Sequence, residues 1–377
     1  MKAAAMPSRR CHEAGQLERQ GIMARRQSLF APRRRKKRYG CLTVLFLLLI
    51  ALGVMVGLNS LANRFVKLTE QAITLPELPR ALEGFSILHL SDLNAASLGA
   101  NHEHLKKALE QESYQAVCLT GDMVGKSGNA QPLLTLLEVL GNKVPVFFIA
   151  GSSDPPPLLD TAHGDSEVFA PWVRQAQAKG ASYLDRPWAL EEEGSRIWFC
   201  PADMFELDLA SARRAYQDRV NQLKASSNPA APDTGVQLRL AEYQLRIVET
   251  KIAARAEIRP GDTIVALRHH PPDPEVLAEM RDAAESTGAL LPQVYLSGQL
   301  NGGQARLPGL GPIYLPPQEG RTGGWLPGEE GISGLSVYKG QAVYISPGLG
   351  VSSYYPIPIR LFNRPTATLI QLTRRLR

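Results

Sequence analysis

Three aspartates stand at the ends of apolar, strand-like runs and are the residues of this sequence best placed to do chemistry. They are Asp92, Asp122 and Asp154. Each follows a run rich in Val, Leu, Ile, Phe and Ala, which predicts a buried strand. A carboxylate at a strand end can face a ligand or a hard metal ion instead of the core. The sequence therefore predicts three carboxylates at loop mouths.

Strand-like and helical runs alternate along the chain and must position these carboxylates. We expect strands near residues 85–91, 115–120, 144–150, 182–190, 195–201, 263–268, 294–297, 335–346 and 366–372. Helical patterns fall near residues 102–112, 130–141, 170–179 and 273–286. Such alternation predicts an α/β protein whose sheets are covered by helices.

Residues 204–259 interrupt this alternation with two helical patterns. Apolar residues from Leu209 to Leu223 recur at spacings of three and four, and a second helix follows with apolar residues seven apart. A breaker rich in Pro, Ala and Ser separates them at residues 226–234. We expect an inserted helical hairpin, which is a self-packed pair lying on the domain, a lid, or a docking arm for a protein partner.

The positive charge of the chain is concentrated at its N-terminal end. Residues 1–40 carry 12 Lys and Arg against 2 Glu, whereas the remainder carries 30 basic and 34 acidic residues. The remainder therefore has no excess of positive charge for a nucleic acid. We expect a basic cytoplasmic tail at residues 1–40 and no nucleic-acid partner.

Residues 41–62 form a stretch of 22 residues without a charged side chain. As a helix at about 1.5 Å per residue, this stretch reaches about 33 Å, enough to cross a hydrocarbon core of about 30 Å. Six basic residues at 33–38 precede it, so the positive-inside rule predicts a cytoplasmic N-terminus and an extracytoplasmic main domain. We predict a single-pass signal anchor in the cell membrane; the alternative is a cleaved signal peptide.

The rest of the chain is predicted to be a spacer at residues 63–83 and one domain at residues 84–377. The four cysteines of the chain are scattered and include no Cys-x-x-Cys pair. This spacing excludes a zinc ribbon.

Six short motifs occur in an order that resembles one known family. They are LHLSDLN at 88–94, CLTGDMV at 118–124, FFIAGSSD at 147–154, RHHPPD at 268–273, LSGQLNGGQARLP at 296–308 and PIRLFNRP at 358–365. The series resembles the calcineurin-like metallophosphoesterases, especially their membrane-associated bacterial branch, over residues 84–373. The resemblance implies a four-layer α/β/β/α sandwich, here with a transmembrane helix and the inserted hairpin, and hydrolysis of phosphoesters by two metal ions.

The resemblance assigns a small set of metal ligands that this sequence keeps. Asp92 and Asp122 match two metal-binding carboxylates of the family. One imidazole is also kept, either His269 or His270, and the spacing to the Pro-Asp pair that follows favours His270. The expected residual metal ligands are therefore Asp92, Asp122 and His270.

Other positions of the family's site carry different residues. Three His ligands and one Asn ligand are replaced, by Asn94, Gln299, Asn301 and Ser152. Ser153 stands where the family has its catalytic His, so no catalytic residue is assigned. Asn and Gln offer neutral oxygens to hard ions but replace imidazole poorly on Mn, Fe or Zn. We expect no tightly bound metal, with one weakly held Mg or Mn ion as the alternative.

These observations lead to three functional hypotheses. The first is a membrane-anchored pseudoenzyme that binds a phosphate-bearing ligand in the old cleft or a protein through the hairpin. The second is a weak or rewired phosphoesterase acting on a lipid or nucleotide phosphate near the membrane, with Asp92, Asp122 and His270 holding one cation. The third is a structural subunit of an envelope complex.

Overall fold

The computed structural model describes residues 39–159, 168–226, 232–318, 322–356 and 358–375. The described part of the chain divides into two units between Val56 and Gly57. Most of the predicted basic tail and the centre of the 226–234 breaker lie outside the described residues.

Helix α1 (Tyr39–Ala62) covers the predicted membrane span. Residues 40–62 have a mean hydropathy of 2.8, and within the described part of the chain this is the one helix whose length and composition suit a membrane crossing. Apolar side chains are exposed all around it, which is typical of a helix that lipid surrounds. The helix is confirmed, while the crossing itself stays a prediction.

The first sheet contains six strands. They are β1 (Lys67–Thr74), β2 (Ser86–Leu90), β3 (Ala116–Thr120), β4 (Val146–Ile149), β5 (Ala181–Tyr183) and the C-terminal β16 (Thr366–Thr373). Their order is β1-β16-β2-β3-β4-β5. Strands β2 to β5 are parallel and β16 is antiparallel to β2. All residues of β2 and β3 are buried, because both faces of this sheet are covered, which explains their unbroken apolar runs.

Strand β1 corrects the prediction of a spacer at residues 63–83. It pairs with β16 over its whole length, from Lys67 opposite Thr366 to Thr74 opposite Thr373. Ile73 is its one buried residue, and the others are partly or fully exposed. An edge strand of this kind buries too little to produce a clear apolar pattern, so the sequence did not reveal it.

The remaining strands lie between residues 188 and 345. They are β6 (Trp188–Glu192), β7 (Ser195–Pro201), β8 (Thr263–Leu267), β9 (Val294–Ser297), β10 (Arg306–Leu307), β11 (Gly311–Pro312), β12 (Tyr314–Leu315), β13 (Gly324–Trp325), β14 (Gly334–Tyr338) and β15 (Gln341–Ile345). The second sheet has the order β14-β15-β9-β8-β7-β6, with antiparallel strands at both edges. Strands β10 to β13 form two small two-stranded sheets.

Helices cover the outer faces of both sheets. They are α2 (Glu103–Leu109), α3 (Gln131–Leu140), α4 (Pro171–Ala178), α5 (Asp203–Glu206), α6 (Leu209–Lys224), α7 (Pro232–Glu257) and α8 (Pro274–Thr287). The first three pack on the first sheet and the others on the second. Side chains of both sheets meet in one apolar core, where the rings of Phe147 and Phe199 stack with centroids 4.7 Å apart. The four-layer α/β/β/α sandwich is therefore confirmed.

The inserted hairpin is present as α6 and α7. Its base packs on the outer face of the second sheet, where Leu209 and Val248 join Trp198 of β7 in one apolar cluster. The buried Lys251 holds both carboxylate oxygens of Asp203 at 2.7 Å. The tip forms a separate cluster of its own apolar residues. The base is therefore a fixed part of the outer helical layer.

Candidate functional site

Asp92 and Asp122 lie next to each other because they follow parallel neighbouring strands, β2 and β3. Both are fully buried and have left-handed backbone conformations, with φ of 53° and 55°. Such conformations are uncommon outside glycine and recur at functional sites. Two backbone hydrogen bonds tie the loops together, from Asp92 N to Gly121 O at 3.0 Å and from Asn94 N to Asp122 O at 2.7 Å.

Glycine is required at two positions around these carboxylates. A Cβ atom on Gly151 would lie 2.2 Å from Oδ1 of Asp122, and one on Gly298 would lie 2.8 Å from Oδ2 of Asp92. Both contacts are too short for any side chain. The two glycines therefore let the neighbouring loops close tightly on the acidic groups.

The imidazole beside the carboxylates belongs to His269 and not to His270, which the spacing favoured. Nδ1 of His269 lies 2.7 Å from Thr120 O and donates to it. Nε2 then faces Oδ1 of Asp122 at 3.2 Å, without the direction of a hydrogen bond. His269 and His270 lie in a bend that follows β8, and of the two only His269 belongs to the cluster.

Asp92, Asp122 and His269 form one buried group, in which one ligand-type atom of each lies within 4.8 Å of the others. Burial raises the pKa of Asp92 to about 7, against the opposing charge of His269. Burial lowers the pKa of His269, but the interaction with the nearby carboxylate of Asp122 outweighs it and raises that pKa to about 9. Burial also raises the pKa of Asp122, yet His269 holds it below its usual value. Asp122 and His269 are therefore a carboxylate–imidazolium pair.

Both carboxylate oxygens of Asp92 already accept hydrogen bonds. Oδ2 accepts from Ser91 Oγ at 2.5 Å. Oδ1 accepts from the backbone N of Gln299 at 3.1 Å and from Nδ2 of Asn301 at 3.2 Å. Asp92 is thus satisfied by the protein itself.

The four replaced ligand positions also hydrogen-bond within the protein. Oγ of Ser152 donates to Oε1 of Gln299 at 2.7 Å, so two of these four side chains bind each other. Nδ2 of Asn301 contacts Gln299 O as well as Asp92. The side chain of Asn94 turns back to the carbonyl oxygen of Asp92 at 3.3 Å. The structure brings these residues together as predicted, but as partners of one another.

Ser153 and Asp154 have structural contacts at the end of β4. The backbone N of Ser153 donates to Oδ1 of Asp122 at 2.7 Å. The carboxylate of Asp154 accepts four backbone N–H groups, from residues 123–125 and from Gly151, at 2.9–3.2 Å. Asp154 therefore holds two loops together and is not part of the buried cluster. A serine hydroxyl cannot replace an imidazole as a proton donor near neutral pH.

Arg360 is a site residue that the sequence did not reveal. Its guanidinium is buried and donates to Gly350 O at 2.6 Å, Pro347 O at 2.7 Å and Asn363 O at 2.8 Å. Gly350 N in turn donates to Asp92 O at 2.7 Å. Burial lowers the pKa of Arg360 to about 10, so the group stays charged. The motif PIRLFNRP contains this arginine, but no local pattern of residues indicates that its side chain is buried.

Comparison with known proteins agrees with this architecture. The sequence profile of the calcineurin-like phosphoesterases matches residues 85–296, more than half of the 377 residues. The chain belongs to the calcineurin-like phosphoesterase family. No curated protein matches it.

Solved structures resemble this calcineurin-like phosphoesterase only distantly. Phosphopantetheinyl hydrolase from Mycobacterium tuberculosis is 13% identical, with a TM-score of 0.35, over 71% of this chain and 91% of that chain. A second solved structure is also 13% identical, with a TM-score of 0.34, over 70% of this chain and 91% of that chain. Neither likeness carries an argument about activity.

The two-metal centre of calcineurin-like phosphoesterases does not fit these residues, because the amide and hydroxyl side chains at positions 94, 152, 299 and 301 replace imidazole poorly on Mn, Fe or Zn. A single metal ion is compatible with part of this site. Oδ2 of Asp122 and Nε2 of His269 are buried and have no hydrogen-bond partner in the described residues. Carboxylate and imidazole ligands suit ions such as Mn, Fe or Zn. The group of Asp92, Asp122 and His269 could therefore hold one metal ion.

Proposed function

We propose that this protein is a membrane-anchored pseudoenzyme of the calcineurin-like phosphoesterase family, which acts by binding and not by two-metal hydrolysis. The observation that carries the proposal is the hydrogen bonding of Ser152 to Gln299 and of Asn301 to Asp92. Ser152, Gln299 and Asn301 thus use polar atoms in hydrogen bonds to other side chains of the site, which supports a role that does not require two ions. Ser153, at the position of the catalytic His, gives hydrolysis no proton donor.

The proposal includes a location at the cell membrane, with residues 41–62 as a signal anchor and the main domain outside. The apolar helix α1 and the basic run at 33–38 support it. Protease added to right-side-out membrane vesicles should then digest the main domain and leave the tail intact. The intact mass of the membrane-bound chain should include residues 1–40; a mature start near residue 62 would contradict the anchor.

Metal content tests the loss of the two-metal centre. The full chain is purified in detergent after growth with Mn, Fe and Zn, and its bound metals are measured by elemental analysis. We expect well below one equivalent, and no phosphodiesterase activity on bis-p-nitrophenyl phosphate with added Mn or Mg. Two tightly bound equivalents would overturn the proposal.

The second candidate function is phosphoester hydrolysis with one cation, near the membrane, on a lipid or nucleotide phosphate. It is favoured by the two buried atoms without hydrogen bonds, Oδ2 of Asp122 and Nε2 of His269. Under this hypothesis, Mn-dependent activity is present in the wild type and is lost in both Asp122→Asn and His269→Gln. His270→Gln is the matched control and keeps the activity, because His270 does not belong to the cluster.

The proposed binding role has a first candidate surface at the rim of the cleft, for a phosphate-bearing ligand. Lys126 is exposed there, with Nζ 4.8 Å from the ring centre of Tyr354, whose hydroxyl donates to Ser152 O at 3.2 Å. An exposed ammonium beside the buried cluster of Asp92, Asp122 and His269 suits a phosphate group. Lys126→Ala should weaken binding of a phosphate-bearing probe, measured by calorimetry, whereas Lys107→Ala on α2 should not.

The second candidate surface is the hairpin tip, for a protein partner in the envelope. The tip cluster of Val220, Leu223 and Ala241 packs on itself, so residues 218–241 can be replaced by a short turn without exposing the sheet. Loss of a co-purified partner from this variant, with unchanged thermal stability of the domain, is the expected result. An unchanged set of partners would exclude the tip as a docking arm.

A further inference from the structure

We propose that a second part of the protein contacts the lipid bilayer, namely the folded-domain surface formed by Phe65, Ile359 and Phe362. This lipid-facing surface would insert into the headgroup region beside the end of α1. The inference rests on the proposed membrane anchor and adds a contact made by the folded domain.

The last turn of the apolar helix is hydrogen-bonded to this surface. Nδ2 of Asn59 and Nδ2 of Asn63 both donate to Arg360 O at 2.7 Å. Phe362 N donates to Oδ1 of Asn59 at 2.8 Å. Asn59 lies inside the charge-free stretch that we assign to the membrane, and one helical turn measures about 5.4 Å. Where the end of the stretch meets the bilayer, residues 359–362 must lie at the bilayer surface too.

Large apolar side chains are exposed at this place. The exposed fractions are 48% for Phe65, 52% for Ile359 and 43% for Phe362. Leu58 and Leu61 at the end of the helix are 63% and 52% exposed. Aromatic residues are enriched where a protein crosses the membrane–water interface. Neighbouring exposed apolar side chains of this kind mark a contact with lipid or protein.

The charges carried by the two chain segments that form the surface favour lipid as the occupant. Residues 57–67 and 358–364 include four basic residues and no acidic one. Three of the four, Arg64, Lys67 and Arg364, are exposed. Phosphate headgroups are anionic, and basic side chains next to a membrane span bind them. The surface is continuous with an apolar helix and is flanked by basic residues. Both features fit contact with the bilayer that α1 is proposed to enter.

The backbone of Phe362 is held in an unusual conformation. Its φ is 49°, a left-handed value that is a genuine outlier for a bulky aromatic residue. The hydrogen bond to Asn59 holds the backbone there. This arrangement keeps the exposed ring beside the end of the helix.

Lipid contact can be measured with a fluorescent label on single cysteines in the full chain. The background carries Cys11→Ser and Cys41→Ser, because Cys118 and Cys200 are buried. An environment-sensitive dye is attached at Phe362→Cys, or at Ile359→Cys as an independent second site. The protein is placed in nanodiscs of phosphatidylcholine and phosphatidylglycerol that contain a lipid with a nitroxide near its headgroup. Quenching by this lipid and by aqueous iodide is then compared.

Two further labels make the outcome decisive. Val276→Cys on α8 is the matched control, since Val276 is 43% exposed, as is Phe362. Leu49→Cys, in the middle of the apolar stretch, reports whether the anchor spans the bilayer when the nitroxide lies deep in the acyl chain. The background without an added cysteine corrects for labelling of buried thiols.

We expect lipid quenching at positions 359 and 362 to exceed that at 276 several-fold, with iodide showing the opposite order. Equal quenching at 362, 359 and 276, together with deep quenching at 49, would overturn the lipid-facing surface and leave the anchor intact. No quenching at 49 would instead refute the anchor itself. Protection of 359 and 362 from iodide without lipid quenching would mean that protein covers the surface, which also overturns the proposal.

Discussion

The loops of the two sheets contribute different chemistry to the buried site. Loops of the first sheet supply Asp92 and Asp122, both buried carboxylates. Loops of the second sheet supply two neutral amides, Gln299 and Asn301, and the imidazole of His269. In the family, the second side would contribute ligands to metal ions. Here it contributes hydrogen bonds and one positive charge to the carboxylates of the first side.

The close packing of the loops does not depend on which side chains the second sheet contributes. Gly151 packs closely against Asp122, and Gly298 packs closely against Asp92. The loops of the two sheets are therefore in tight contact at the site. Gln299 and Asn301 donate hydrogen bonds to the buried carboxylate of Asp92, and a buried carboxylate without a partner would be costly.

The largest effect is expected from removing the carboxylate of Asp122. Asp122→Ala leaves His269 buried without its partner, and breaking a buried ion pair costs about 3–5 kcal/mol. Urea unfolding of the full chain in detergent measures the loss. Asp122→Asn is the control, since its amide oxygen can still accept from Ser153 N, and it should lose less. A loss of under about 1 kcal/mol in Asp122→Ala would contradict the ion pair.

The pH dependence of stability should be next in size. The pKa of His269 is raised from its ordinary 6.5 to about 9 in the folded protein, so its contribution is present below pH 6.5 and is lost as pH rises through 9. The loss is at most about 3 kcal/mol. The pKa of Asp92 is raised to about 7, so the folded protein loses further stability as the pH rises from about 4 to 7.

Unfolding of wild type and His269→Gln at a series of pH values checks this prediction. In the wild type, the free energy of unfolding should fall between pH 6.5 and 9, and in the variant it should not. Both proteins should show the fall below pH 7 that Asp92 causes. Identical profiles in the two proteins would show that His269 is not charged in the folded state.

Restoring the family's ligands should recover metal binding. The variant carries Asn94→His, Ser152→Asn, Gln299→His and Asn301→His. At a Mn concentration of 100 times its Kd, bound metal would stabilise the variant by about 2.7 kcal/mol. Thermal unfolding with and without Mn measures this gain, and wild type should show a smaller shift. An equal shift in wild type would mean that its site already binds Mn well.

The smallest effect concerns the hydrogen bond between Ser152 and Gln299. A double-mutant cycle of Ser152→Ala and Gln299→Leu should give a coupling energy of about 0.5–1.5 kcal/mol. Ser152 is exposed, so a value at the low end is expected. A coupling energy near zero would show that the two former ligand positions do not support each other in solution.

The sequence alone determined the layers of the fold and the place of the two carboxylates. Apolar periodicity is a local property, so it gave the central strands to within a few residues, and the strand ends then placed Asp92 and Asp122. The exception is β1, whose exposed, mixed sequence gains its strand conformation only by pairing with β16, 299 residues further on at Lys67 and Thr366.

Tertiary structure alone decided how the site works. Which histidine enters the cluster depends on the direction that the chain takes after β8, and two adjacent histidines look alike in sequence. Ser152 meets Gln299 across 147 residues, and Gln299 meets Asp92 across 207. Arg360 becomes a buried cation only because three carbonyl groups surround it. Contacts between distant segments depend on how the loops of two sheets face each other, and no local pattern of residues records that.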